Sequence, residues 1–206
     1  MELSLDQKDA LTELINIGYG RAAGALSELT GYRINLEVPQ VTMHDIEAIA
    51  PFLERVIEKD AASVTQVFSG PISGTALLVL DEYAARVLSQ LLTEDRLEAV
   101  ELDSSAREII TEVGNILLNA CLGVFGNLLD VHLNFAVPRL HIDGVRRVLQ
   151  TVSREVNEQL RYGLMIHTRF YVRARDVSGY LVIVLGISSL DRLLQELEHW
   201  ENRQIQ

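Results

Sequence analysis

Two segments of this chain repeat one another, and this repeat restricts the possible fold more than any other feature of the sequence. Residues 9–41 align with residues 108–140 without a gap, at an offset of 99 positions. Both copies contain a glutamate, an asparagine and a proline at the same spacings: Glu13, Asn16 and Pro39, then Glu112, Asn115 and Pro138. At ordinary residue frequencies this pattern arises at about one start in eight thousand. Two copies are too few for a solenoid, so the repeat predicts two halves related by a pseudo-twofold axis.

Each half begins with a long helix that carries an apolar stripe. Ser4 and Gln7 form a capping-box pattern at the start of a helix that we expect to reach about residue 30, where Gly31 can end it. Asp103 begins the corresponding helix, which we expect to reach about residue 129. A strand follows each helix, over residues 32–38 and 131–137, and the proline is expected to end it because proline cannot donate to a ladder.

The rest of each half consists of shorter elements separated by turn residues. A helix comes first, over residues 45–54 in one half and 144–160 in the other. Two strands and a last helix follow. In the first half we expect them at residues 64–69, 75–80 and 81–93. In the second half we expect the strands at residues 165–175 and 179–186, meeting at the turn 176–179, and the helix from residue 188.

Both halves therefore have the predicted order αβαββα. Ser73-Gly74 and Ser178-Gly179 each precede an apolar run, which extends the repeat at an offset of 105. Residues 93–101 are the nearest thing to a linker, and they are few, so we expect one continuous sheet. The predicted fold is α/β of the α+β type, with the long helices packed on a shared, largely antiparallel sheet. We expect a single domain, residues 1–206, made of two repeats at about 1–98 and 99–206.

The composition excludes several classes of protein. The net charge of −11 and the pI of about 4.9 argue against nucleic-acid binding, which needs Lys and Arg at phosphates, and against an anionic membrane surface. No signal-peptide pattern is present, and apolar runs such as residues 180–187 are too short to span a bilayer. Cys121 is the only cysteine, so a reducing cytoplasm is the expected setting. The five histidines lack ligand spacing, so we expect no metal site.

The two Glu/Asn pairs are the candidate functional residues. A Glu and an Asn three positions apart lie on one face of a helix. The asparagine amide does not titrate and cannot act as a base, but it can hold a water molecule. The glutamate can bind a lysine through a charge-assisted hydrogen bond. Each pair therefore suits a reaction whose other parts arrive with the substrate; the alternative is an ordinary solvated helix face.

Further positions accompany each pair. Asp9 and Glu108 lie four residues before the two glutamates, on the same helix face. Glu108 has an alternative explanation, because Ser105 and Glu108 form a possible capping box. Pro39 and Pro138 are expected to be structural and to fix the sheet edge beside the Glu/Asn face.

The pattern Asp/Ser-x3-Glu-x2-Asn-x22-Pro resembles the one that marks the CheC/CheX/FliY family of chemotaxis phosphatases. The first copy, which begins at Asp9, meets this pattern at every position, and the second meets it except at Glu108. Two copies in 206 residues are closest to the CheC branch of the family, because CheX is shorter with one site and FliY carries an additional flagellar-switch domain. The resemblance covers essentially the whole chain.

The resemblance implies a protein aspartyl-phosphate phosphatase, a hydrolase that acts on a phosphorylated CheY-type response regulator in chemotaxis signal termination or adaptation. Its asparagine would orient a water for in-line attack, and its glutamate would pair with the regulator's lysine. The catalytic residues carried over are Glu13, Asn16, Glu112 and Asn115. The motif or substrate-binding residues are Asp9, Pro39, Glu108 and Pro138. The regulator would supply Mg2+ and the phosphoaspartate, so the chain needs no cofactor of its own. CheD, a receptor-modifying protein, is a further implied partner.

Two positions depart from the family pattern. Ile15 stands where the family usually has glycine before the asparagine, and Glu108 replaces Asp or Ser. The second copy keeps the usual dipeptide, Gly114-Asn115, so we expect the second site to be the stronger one. Two other functions are alternatives: a non-catalytic binding module or adaptor for a phosphorylated regulator or CheD, and a structural flagellar-switch protein. The lack of room for a further domain counts against the last.

Overall fold

The computed structural model describes residues 3–37, 40–57, 60–92, 102–155, 160–172 and 175–204. In chain order, the elements of the first half are α1 (Leu5–Thr30), β1 (Ile34–Leu36), β2 (Gln40–Asp45), α2 (Ile46–Val56), β3 (Ala61–Ser69), β4 (Gly74–Leu80) and α3 (Glu82–Leu92). Those of the second half are α4 (Ser104–Leu128), β5 (Asn134–Phe135), β6 (Arg139–Asp143), α5 (Val145–Glu155), β7 (Leu160–Val172), β8 (Arg175–Gly186) and α6 (Ile187–Gln204). The order in each half is αββαββα, one strand more than predicted.

All the described strands belong to one antiparallel sheet. Its order is β1-β7-β8-β4-β3-β5, with β2 also paired to β7 and β6 also paired to β3. The central pair, β4 and β8, joins the two halves. The outer strands are exchanged: β1 and β2 of the first half pair with β7, while β5 and β6 of the second half pair with β3. The predicted fold class, helices on a shared antiparallel sheet, is confirmed.

The ladders display the internal symmetry residue by residue. Phe68 of β3 pairs with Phe135 of β5, and Phe170 of β7 pairs with Leu36 of β1. The strands β5 and β1 are therefore equivalent at the offset of 99 that the sequence repeat has, while β3 and β7 are equivalent at an offset of 102. The insertion in the second half begins before β7.

The offset along the next pair of strands is 103. Phe68 pairs with Gly74 of β4, and its equivalent Phe170 pairs with Val177 of β8. The sequence-based match of Ser73-Gly74 with Ser178-Gly179 is therefore wrong by two positions. A shift of two residues keeps every side chain of a strand on the same face, so an apolar run cannot reveal it.

Helices cover both faces of the sheet. On one face α1 and α4 lie side by side, with α3 against α4 and α6 against α1, over the larger hydrophobic core. On the other face α2 and α5 pack together over a smaller core. The larger core includes Leu11, Leu14, Ile110 and Leu117, which are fully buried. Among the described helices, α4 alone is long and apolar enough to cross a membrane by length and composition, and half of that stretch is buried within the fold.

The ends of the long helices follow local chemistry. The Ser4 side chain accepts from the Gln7 backbone N–H and the Gln7 side chain accepts from the Ser4 backbone N–H, which is the predicted capping box. Gly31 ends α1 at φ 68°, a left-handed conformation that favours glycine. Asp103 caps α4 by accepting from the backbone N–H of Ala106 at 2.8 Å. These boundaries agree with the sequence prediction to within a residue or two.

The predicted strands beside the two prolines need correction. In place of a strand over residues 131–137, only Asn134–Phe135 pair before Pro138, and pairing with β3 resumes at Arg139. In the first half Ile34–Leu36 pair with β7, and Gln40 begins β2 on the same neighbour. Pro39 itself lies outside the described residues. In both halves the residues before the proline and the residues after it pair with the same neighbouring strand, so pairing is interrupted there and then resumes.

The predicted turn at residues 176–179 is also wrong. Pairing of β7 with β8 continues to Val172 and Arg175, and Gly179 lies within β8, opposite Thr168 on one side and Leu80 on the other. A Cβ at Gly179 would lie 2.6 Å from the Leu80 side chain and 2.8 Å from the Val79 carbonyl oxygen. This glycine marks a close approach of two strands, which is the other common reason for glycine in a strand.

Candidate functional site

Both Glu/Asn pairs lie on the outer faces of the two central helices. Glu13 and Glu112 are exposed, and Asn16 and Asn115 are half-buried. The apolar residues of the same turns point the other way, and Leu11, Leu14 and Ile110 are fully buried in the core. The 3.6-residue period of the helix explains this division. Each pair can therefore be reached by another molecule, as docking requires.

In the second half the pair belongs to a chain of side-chain hydrogen bonds. The Asn115 Nδ2 lies 3.5 Å from Glu112 Oε2, at the long limit of a hydrogen bond. Asn119 Nδ2 donates to Asn115 Oδ1 at 2.6 Å. Gln66 of β3 in turn donates through Nε2 to Asn119 Oδ1 at 3.0 Å and to the backbone oxygen of Ala136 at 3.1 Å. The half-buried Asn115 thus has internal partners, but it keeps solvent access.

In the first half no such chain exists among the described residues. The side chains of Glu13 and Asn16 make no hydrogen bond or ion pair within the described part of the structure. The position equivalent to Asn119 is Gly20, which has no side chain, and the position equivalent to Gln66 is Thr168. The Thr168 hydroxyl is hydrogen-bonded to the Tyr19 hydroxyl in the core. The two copies share the motif but differ in what supports it.

The residue before each asparagine faces the core. Gly114 of α4 lies so close to β3 that a Cβ there would fall 2.6 Å from atoms of the Val64 side chain. Its counterpart Ile15 is 1% exposed. The departure at Ile15 therefore changes how α1 packs on the sheet and leaves the chemistry of the exposed face unchanged. Because isoleucine needs space that Gly114 leaves out, the two helices cannot sit over their strands in the same way.

Three of the four other predicted motif positions, Asp9, Glu108 and Pro138, lie within the described residues. Asp9 and Glu108 are both exposed, one turn before the two glutamates. The capping-box explanation for Glu108 is wrong, because Asp103 rather than Ser105 caps the helix. Pro138 is half-buried and lies between β5 and β6, two residues after Ala136 of the hydrogen-bond chain. Pro39 lies outside the described residues.

The described residues offer no second reactive centre near these helices. They contain no group of three or more His, Cys, Asp or Glu side chains that could hold a metal ion. Cys121 of α4 is buried, and burial raises the pKa of its thiol well above the usual value. Burial likewise raises the pKa of the Tyr19 hydroxyl. Neither side chain is available as a nucleophile at neutral pH.

The sequence did not reveal Asn119 or Gln66 as members of the site. Asn119 had a usable signal, because it lies four residues after Asn115 and therefore on the same helix face. Gln66 had none, because only the pairing of β3 with β5 and β6 brings that strand beneath the helix of the other half.

Comparisons with known proteins agree with the motif. The model of the CheC-like family matches residues 7–43, which include the whole first motif. The CheY-P phosphatase CheC of Bacillus subtilis is 21% identical over 197 residues, covering 93% of this chain and 94% of that protein. The putative CheY-P phosphatase CheC1 of Halobacterium salinarum is 22% identical over 138 residues, covering 67% of this chain and 70% of that protein.

A solved structure has the same fold. The crystal structure of Thermotoga maritima FliY superposes with a TM-score of 0.78 at 19% identity, covering 97% of this chain and all of that one. The family model's match and the two CheC relatives agree with the resemblance of the duplicated motif to the CheC/CheX/FliY family, and the FliY structure shows that the fold is shared.

Proposed function

We propose that this protein is a phosphatase that removes the phosphoryl group from the aspartate of a phosphorylated CheY-type response regulator. The observation that carries the proposal is the presence of two accessible Glu/Asn pairs on equivalent helices, with neither a nucleophile nor a metal cluster beside them among the described residues. The relative from Bacillus subtilis, named a CheY-P phosphatase, supports it at low identity over nearly the full length.

The proposed chemistry divides the work between the two proteins. The regulator supplies the phosphoaspartate and the Mg2+ that neutralises developing charge on the phosphoryl oxygens. The asparagine amide, from Asn16 or Asn115, holds a water in line with the bond to be broken. The water oxygen attacks phosphorus and the phosphorus–oxygen bond to the aspartate breaks. The aspartate stays on the regulator as a free carboxylate, and inorganic phosphate leaves with the two protons of the water. The glutamate, Glu13 or Glu112, binds a lysine of the regulator and so fixes the docked geometry.

Other features of the chain fit this assignment. The net charge of −11 suits a partner that presents a lysine and disfavours nucleic acid or an anionic membrane. The single buried cysteine suits a reducing cytoplasm, where we place the protein. CheD stays a proposed second partner without an assigned surface.

The test is phosphate release from a phosphorylated CheY-type regulator with Mg2+, with and without this protein. We expect acceleration above the regulator's own hydrolysis. Asn16→Ala or Asn115→Ala alone should leave substantial activity, because the other site still works. Glu13→Ala and Glu112→Ala should weaken binding as well as rate, because they delete the partner of the regulator's lysine.

The competing function is a binding module that captures the phosphorylated regulator without hydrolysing it. It predicts saturable binding with no acceleration of phosphate release. Binding measured by fluorescence anisotropy on the same samples separates the two functions. Acceleration that depends on the asparagines supports the phosphatase, and binding without acceleration supports the module.

A further inference from the structure

Each side-chain amide in the hydrogen-bond chain at the second site can have only one orientation. The chain begins at the carbonyl oxygen of Ala136, which can only accept, and ends at the carboxylate of Glu112, which when ionised can only accept. Between them lie three amides, each of which has one accepting and one donating end: Gln66, Asn119 and Asn115. Because both ends of the chain are acceptors, the oxygen and the NH2 group of every amide must be placed as they are in the structure.

The orientation of each amide in the chain determines the orientation of the next. Because the Ala136 oxygen needs a donor, Gln66 must present its NH2 group to it, and the same NH2 group reaches Asn119 Oδ1. Asn119 must then turn its NH2 toward Asn115, whose oxygen accepts it. Asn115 is left with its NH2 toward Glu112 and one unused lone pair on its oxygen. Reversing any one amide would set two acceptors or two donors against each other.

One end of this hydrogen-bond chain lies in the core of the fold. Gln66 is 2% exposed on β3, an interior strand of the sheet, while Asn119 and Asn115 on α4 are half-buried and Glu112 is exposed. The Gln66 Oε1 atom is buried without a hydrogen-bond partner among the described groups. A buried unpaired acceptor is costly, and flipping Gln66 would lose both of its hydrogen bonds. An apolar residue would be the simpler choice for packing alone, so the cost indicates that the orientation matters.

We propose, resting on the phosphatase function above, that Asn119 is a positioning residue that holds the Asn115 amide in one orientation. The second lone pair of Asn115 Oδ1 is then the one that accepts from the attacking water. The first site lacks this device, because Gly20 occupies the equivalent position. The second site is the preorganised one and should have the higher kcat. The two sites should bind the regulator about equally, because each keeps its glutamate.

The kinetic test isolates each site before disturbing the amide chain. Asn16→Ala leaves only the second site, and Asn115→Ala leaves only the first. In the Asn16→Ala background, Asn119→Ala should lower kcat about 10-fold, the lower end of the loss seen when a group that orients a ligand is removed, with KM for the regulator unchanged. Asn119→Asp should lose at least as much, because a carboxylate cannot donate to Asn115 Oδ1.

Two controls separate positioning from damage to the fold. Asn127→Ala removes an exposed asparagine from the last turns of the same helix and should leave kcat and KM unchanged in either background. The loss caused by Asn119→Ala should appear when the second site works alone and be absent when the first site works alone. An equal loss in both backgrounds, or a rise in KM without a change in kcat, would overturn the proposal.

A spectroscopic measurement tests the amide chain without turnover. In the wild-type protein the side-chain NH2 signal of Asn115 should show a more ordered amide than that of Asn16, by 15N relaxation, and Asn119→Ala should make it mobile. If the wild-type protein does not accelerate phosphate release, the proposed phosphatase function fails. This measurement then still tests whether Asn119 holds the Asn115 amide in place. Equal mobility of the Asn115 amide with and without Asn119 would refute it.

Discussion

Replacing Gly114 by alanine tests the contact that sets the position of the second site. A Cβ at Gly114 would lie 2.6 Å, 2.6 Å and 2.7 Å from three atoms of the Val64 side chain. Ordinary carbon contacts begin near 3.5 Å, so the new methyl group would be about 1 Å too close to each of these three atoms. Val64 is fully buried on β3 and has no free space into which to turn. Either α4 must rise from the sheet or the strand must yield.

The expected cost can be separated from the ordinary effect of a Gly→Ala change. In a helix interior, alanine is favoured over glycine by about 0.5–1 kcal/mol. Gly123→Ala provides this reference, because Gly123 lies on the same helix with nothing within 4 Å of its would-be Cβ. Overpacking of a core typically costs about 1–3 kcal/mol. We therefore expect Gly114→Ala to be less stable than Gly123→Ala by about 1–3 kcal/mol.

Urea denaturation of the two single variants measures this difference, and a double variant identifies its cause. Val64→Ala removes two of the three clashing atoms, Cγ1 and Cγ2, and keeps Cβ, so adding it to Gly114→Ala should cost less than the two separate changes together. The Gly114→Ala variant should also lose activity at the second site, because its helix carries Asn115. If Gly114→Ala is as stable as Gly123→Ala, then α4 does not approach β3 as closely as described, and our reasoning fails.

Two further predictions concern titratable groups whose pKa is shifted by burial, the buried Cys121 and the half-buried His167. Burial raises the pKa of the Cys121 thiol, so at pH 8 a thiol reagent should label the folded protein very slowly, and labelling in urea should follow the unfolded fraction; fast labelling of folded protein would contradict this. Burial, reinforced by Arg169 and opposed by Glu37 and Asp176, lowers the pKa of His167 below its usual 6.5. The folded state disfavours protonation of His167. The free energy of unfolding should therefore be highest above pH 6.5 and fall as the pH drops through the pKa of His167 in the folded protein. His167→Gln should flatten this dependence, and an unchanged pH profile of urea midpoints would rule out His167 as its source.

Local chemistry made the long helices predictable from sequence. Ser4, Gln7 and Gly31 act on neighbours within one turn, so their effect on α1 can be read without knowing the fold. The Glu/Asn pairs were equally accessible to sequence reasoning, because helix geometry places residues three apart on one face. Their role in catalysis stays a prediction.

Long-range pairing explains what the sequence did not reveal. Gln40–Asp45 and Arg139–Asp143 both alternate polar and apolar residues, so the sequence carried a short signal for β2 and β6, but it did not show that their partners are β7 and β3 of the opposite half. The sequence predicts a turn at Gly179 because it cannot show that Leu80 lies against this glycine. Gln66 reaches Asn119 only because the halves exchange their outer strands.

The most direct test of the proposed function is phosphate release by the double variant Asn16→Ala/Asn115→Ala. Each substitution removes one water-holding amide and keeps Glu13 and Glu112 for docking. Losing such a group should cost about 10–1000-fold in rate at each site. We predict that the double variant folds, binds the phosphorylated regulator and releases phosphate at nearly the rate of the regulator alone. Hydrolysis at the wild-type rate would show that the asparagines are not catalytic.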